Sequence, residues 1–141
     1  MKLSHLFPLF LLFLCATHPA FAAENKTAAK DCHQTAVNGM ELENCAKQDV
    51  GNARAELDKE LAIIKARHSD DPERLKKLEE AQKAWESFMK AQIDLLYFDR
   101  RGFEGSMCIG DEIAHLVQIR TNQLRQWAAE NVEGDVCGTG L

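Results

Sequence analysis

The sequence predicts an all-α fold: an antiparallel three-helix bundle, stapled by two disulfides, that follows a cleaved signal peptide. Three observations predict it. Apolar residues recur at steps of three and four through three long segments, no alternating strand pattern competes with them, and an apolar leader precedes four further cysteines.

The leader occupies residues 1–23. Lys2 supplies a positive start, Leu6 to Ala16 form an apolar run broken only by Pro8, and Ala20-Phe21-Ala22 is a small-x-small cleavage site ahead of Ala23 and Glu24. The run is too short to span a bilayer. Leu14 is too bulky for the position before a lipid-bearing Cys15, so Cys15 is expected to leave with the signal and no stable membrane anchor to remain. The mature chain of about 118 residues is then one domain by length. It divides into an N-terminal segment at 24–38, a helical domain at 39–130 and a tail at 131–141.

The first helix is expected over 40–68, where Leu42, Ala46, Val50, Ala53, Leu57, Leu61 and Ile64 form one face, weakened slightly by Gly51. Asp70-Asp71-Pro72 gives a stop and a fresh start, with Asp at the cap and Pro in the first turn, where its missing N–H costs nothing. The second helix carries the stripe Leu75, Leu78, Ala81, Trp85, Phe88, Gln92 and Leu95 or Leu96, and should run to about Phe98. Gly102, Gly105 and Gly110 then read as loop punctuation across 97–110, with Asp111 as the next cap. Ile113, Leu116, Val117, Arg120, Leu124 and Trp127 mark a third helix ending near Glu130, and Gly134, Gly138 and Gly140 make the tail coil. Three helices joined by one short and one longer loop pack most simply as an antiparallel bundle, monomeric or weakly dimeric.

Charge excludes some functions. Without the leader, 16 Lys and Arg face 22 Asp and Glu, a formal −6. That balance argues against nucleic acid and anionic membranes, and it suits both ordinary solubility and a basic partner.

Of the four remaining cysteines, Cys32, Cys45, Cys108 and Cys137, three pairings are open; Cys32–Cys45 with Cys108–Cys137 is favoured, because each joins a helix or loop to a terminal segment that can reach it. His33 beside Cys32 and Cys45 admits a metal reading, but an even cysteine count in an exported domain favours disulfides, so no metal and no cofactor is expected. Catalytic signatures are missing as well: there is no G-x-S-x-G, H-E-x-x-H, P-loop or nucleotide fingerprint, and His33, His68 and His115 are scattered. The protein is therefore expected not to be an enzyme.

Trp85 falls on the apolar stripe and reads as core. Gln82 and Arg120 read either as a buried polar pair that sets helix register or as exposed side chains. The surface expected to bind is the 97–110 loop, where Tyr97, Phe98, Arg100, Arg101, Phe103 and Glu104 sit between glycines. The alternative is that its aromatics fold back as a lid on the bundle end.

A family resemblance rests on Cys32, Cys45-Ala46, Leu57, Ala81-Gln82-Lys83-Ala84-Trp85 with Phe88, Gly105-Ser106-Met107, and Leu116 with Arg120 and Leu124. Across 32–127 the chain resembles the LprI-like lysozyme inhibitors, exported bacterial proteins. It departs from that pattern at Met89, where Arg is common, at Val117, where Thr is common, and at Ile93 and Ile113, which stand where the family tends to carry cysteines. Two cysteines replaced by the same apolar residue look like one disulfide exchanged for a packed contact. The resemblance implies a periplasmic or secreted inhibitor that binds a basic lysozyme directly, its acidity steering it toward the enzyme and an Arg of the loop reaching a cleft carboxylate. The other reading is a periplasmic adaptor or chaperone-like module with no effect on lysozyme.

Overall fold

The computed structural model describes residues 32–129 and Leu141; the predicted signal, residues 24–31, Glu130 and the tail at 131–140 with Cys137 lie outside the described residues. Four helices follow one another: α1 (Cys32–Thr35), α2 (Gly39–Arg67), α3 (Pro72–Leu96) and α4 (Gly102–Ala128). Among the described residues there is no strand.

The helix starts are set locally. Asn38 is extended and its side chain accepts the Glu41 N–H at 3.0 Å, while the Glu41 carboxylate accepts from the Val37 N–H at 2.9 Å, a reciprocal cap that closes the first turn of α2. Asp71 does the same for α3, accepting the Arg74 N–H at 2.9 Å with Pro72 in the first turn. α3 ends at Leu96, where the Tyr97 N–H reaches the Ile93 carbonyl, and the Arg100 N–H then closes a turn onto the Tyr97 carbonyl.

The predicted loop at 97–110 is shorter than expected. Only 97–101 connects the helices, Gly102 with φ +79° opens α4, and Asp111 lies inside that helix rather than at its cap. The reason is that two of the three glycines serve contacts, not turns. A Cβ on Gly105 would lie 3.0 Å from the Arg100 carbonyl carbon, and one on Gly110 would lie 2.9 Å from the Ala46 Cβ. A helical glycine costs about 1 kcal/mol against alanine, and here close packing offsets it.

α2 and α4 run parallel and in step. Gly39 lies under the Phe103 ring, Ala46 meets Gly110, and Glu56 and Glu60 both pair with Arg125. α3 runs the opposite way, as the Lys65–Glu79, Gln82–Arg120 and Gln92–Glu112 bonds show. The core is built mainly from the parallel pair, with Ala53, Leu57, Ile64, Ala114, Val117, Leu124 and Ala128; α3 adds only Leu78 and Met89 as buried residues. The expected three-helix bundle is thus helical throughout, but it is a tight parallel pair with a looser third helix, preceded by the short α1. Small residues at Ala46, Ala53, Gly110 and Ala114 let the pair close up, whereas the bulkier face of α3 holds its axis away.

The stripe on α3 also shifts. Phe88, Leu95 and Leu96 are exposed at 61%, 78% and 54%, and Met89 is buried instead. From Trp85 a helical step of three or four admits either Phe88 or Met89, and packing into the core selects the second. The expected core position of Trp127 is likewise not met, since the residue is 40% exposed.

Cys32 and Cys45 are joined, with Cα atoms 5.6 Å apart, so the disulfide ties α1 to α2. Cys108 is a free, partly exposed thiol on α4; its expected partner, Cys137, lies outside the described residues. One of the two predicted staples is therefore present.

Candidate functional site

The end of the molecule where α3 passes into α4 gathers the residues singled out for binding. Arg100 and Arg101 are exposed, and neither forms an ion pair among the described residues. Phe98 is 77% exposed and Phe103 50%, the latter with its ring on Gly39 and its remaining surface open; Glu104 is exposed beside them. Tyr97 is partly buried under this turn. Burial, followed by the charge of Glu112, pushes its hydroxyl pKa up, so it stays a neutral donor at ordinary pH.

Two features make this end stiffer than a glycine-rich loop. Gly105 lets the Arg100 backbone press onto the first turn of α4, and Phe103 and Glu104 belong to that helix rather than to the connection. Val37 and Met40, 84% and 73% exposed, flank Gly39 and so extend the apolar surface beside Phe103. Sequence reasoning missed these two, because nothing local shows that the start of α2 lies next to the start of α4.

Gln82, Trp85 and Arg120 are brought together at mid-height. Arg120 is 4% exposed, its Nε donates to Gln82 Oε1 at 3.2 Å, and its guanidinium lies 5.8 Å from the Trp85 ring centroid and 5.2 Å from that of Trp127. Cation–π attraction to two rings partly replaces lost hydration. The replacement is incomplete: Nη2 is buried without a hydrogen-bond partner among the described residues, and desolvation lowers the guanidinium pKa. Trp85 is partly buried against the core rather than inside it.

Ile93 and Ile113, which stand where the family tends to carry cysteines, line one open groove together with Met89. Arg54, Lys83 and Lys90 stand around it.

Among the described residues the scaffold is all-helical, with a disulfide-held N-terminal turn and, gathered at one end, exposed aromatics and two arginines that form no ion pair. The family model described as "Lysozyme inhibitor LprI" matches residues 29–124, and the chain belongs to that family. It is also 36% identical, over 143 aligned positions, to "Uncharacterized protein R02472" of Rhizobium meliloti (strain 1021), a match spanning 88% of this chain and 96% of that protein. No solved structure matches it. Among the described residues no helix is long and apolar enough to cross a membrane.

Proposed function

We propose that the protein is exported through its 1–23 signal and inhibits a lysozyme by direct binding, using the α3–α4 end. Family membership carries this reading. The surface supports it in two ways. The mature charge of −6 would steer the chain toward a basic enzyme. At close range the exposed Arg100 and Arg101 offer bidentate donors to a cleft built around two catalytic carboxylates, with Phe98 and Phe103 as apolar anchors.

The test is a cell-wall lysis assay with the oxidised protein against chicken-type, goose-type and invertebrate-type lysozymes, repeated with Arg100→Glu/Arg101→Glu. Inhibition of at least one class by the wild type, abolished in the double variant with its helical content intact, is the expected result. An unchanged inhibition constant would remove these arginines from the mechanism. Steering should weaken with salt as the screening length falls to about 8 Å at physiological strength, and anchor contacts should persist in the dissociation rate.

The second reading, a periplasmic adaptor or chaperone-like module, draws on the apolar exposure of Val37, Met40, Leu95 and Leu96. It becomes the better one if no lysozyme class responds.

A further inference from the structure

We propose that His33, Asp49 and Asp111 form a binding site for one divalent transition-metal cation of the zinc type, which fastens α1 and α4 to α2. The three residues come from three helices, and one ligand atom from each lies within 4.8 Å of the other two. His33 Nε2 and Asp49 Oδ2 are already 2.7 Å apart.

Two neighbouring contacts bring the donors to this spot. The Cys32–Cys45 disulfide anchors α1 on α2 immediately beside His33. The approach of Gly110 to Ala46 brings α4 close to α2, and Asp111 follows Gly110 directly while Asp49 lies one turn beyond Ala46. Two carboxylates held this near each other repel, and a single imidazole offsets at most one of them. A dication in their midst relieves the repulsion completely. Donors around a tetrahedral zinc-type ion with bonds of about 2.0–2.1 Å stand about 3.3 Å apart. The present atoms straddle that spacing, and Asp111 is exposed and His33 and Asp49 only partly buried, so small rotations suffice. An imidazole nitrogen with two carboxylates selects zinc-type ions over calcium and magnesium, which prefer oxygen alone. Three protein donors leave a fourth position to water.

The proposal does not depend on lysozyme inhibition, and its test makes no use of a lysozyme. The experiment is calorimetric titration of the chelator-treated, oxidised mature protein with zinc chloride, alongside thermal melts. Saturation at one equivalent and a raised melting temperature are expected. His33→Ala and Asp111→Asn should each weaken binding by at least the roughly 10–100-fold seen when mere second-shell partners are removed. Asp111 is an exposed helical residue, so circular dichroism of Asp111→Asn should match the wild type. Cys108→Ser and His115→Ala should leave the affinity unchanged, because these other zinc-type donors on α4 lie outside the cluster. The proposal is overturned if no saturable uptake occurs, if uptake survives both His33→Ala and Asp111→Asn, or if it vanishes in Cys108→Ser.

Discussion

Gly110 of α4 and Ala46 of α2 meet so closely that a Cβ on Gly110 would lie 2.9 Å from the Ala46 Cβ. The parallel pair that carries most of the core is built around this kind of contact. Gly110→Val should therefore force the helices apart and cost about 1–3 kcal/mol by overpacking. Gly51, on the exposed side of α2 with nothing near its missing Cβ, gives the contrast: Gly51→Ala should stabilise by about 0.5–1 kcal/mol. Urea denaturation of the two variants checks both signs, and equal effects would remove the contact from the account.

Trp85 and Arg120 should be energetically coupled. Trp85→Ala is expected to cost about 3 kcal/mol, the low end for a large aromatic deletion, because the ring is only partly buried. A double-mutant cycle with Arg120→Met should return a coupling of about 0.5–2 kcal/mol. Additive single effects would mean that the guanidinium only happens to lie near the ring.

Removing the Cys32–Cys45 link as a Ser/Ser double variant should cost about 3 kcal/mol, the chain-entropy value for a loop of this size. Peptide mapping of unreduced protein should recover that link, and iodoacetamide should label Cys108. A recovered Cys108–Cys137 peptide would instead restore the second staple.

Acid should act on the start of α3. The backbone N–H of Arg74, which donates to Asp71, holds this carboxyl pKa below its ordinary value of 3.8. A depressed folded pKa means that the cap's contribution is full above that ordinary value and is lost as pH falls through the lower folded one. Asp71→Ala should lower the melting temperature at neutral pH, and the gap from wild type should close on the acid side of 3.8. A gap that stays constant down to pH 2 would remove this cap from the acid limb.

The three long helical segments were legible in the chain, as were the starts of α2 and α3; the start of α4 and the short α1 were not. Steps of three and four mark the buried faces of α2 and α4, and Asp71-Pro72 names the start of α3 without reference to any distant residue. Cys32–Cys45 was legible as the favoured one of the open pairings because Cys32 sits on a terminal segment that can reach the helix carrying Cys45. Gly105 and Gly110 were misread, since a glycine admitted for lack of a side chain looks in sequence like one admitted for its backbone freedom. Met89 was passed over because Phe88 fits the same stripe and is the larger hydrophobe.

The sequence by itself determined that the described chain is helical and where α2 and α3 begin, and it carried the resemblance to a family of lysozyme inhibitors. These are local properties, decided by backbone hydrogen bonding, capping and periodicity within a few residues. Tertiary structure decided that α2 and α4 form the tight pair, that α3 turns Met89 inward, that Arg120 lies between two tryptophans, and that His33, Asp49 and Asp111 converge. Those outcomes depend on the distance between helix axes, which side-chain volumes on segments far apart in the chain set only once they are packed together.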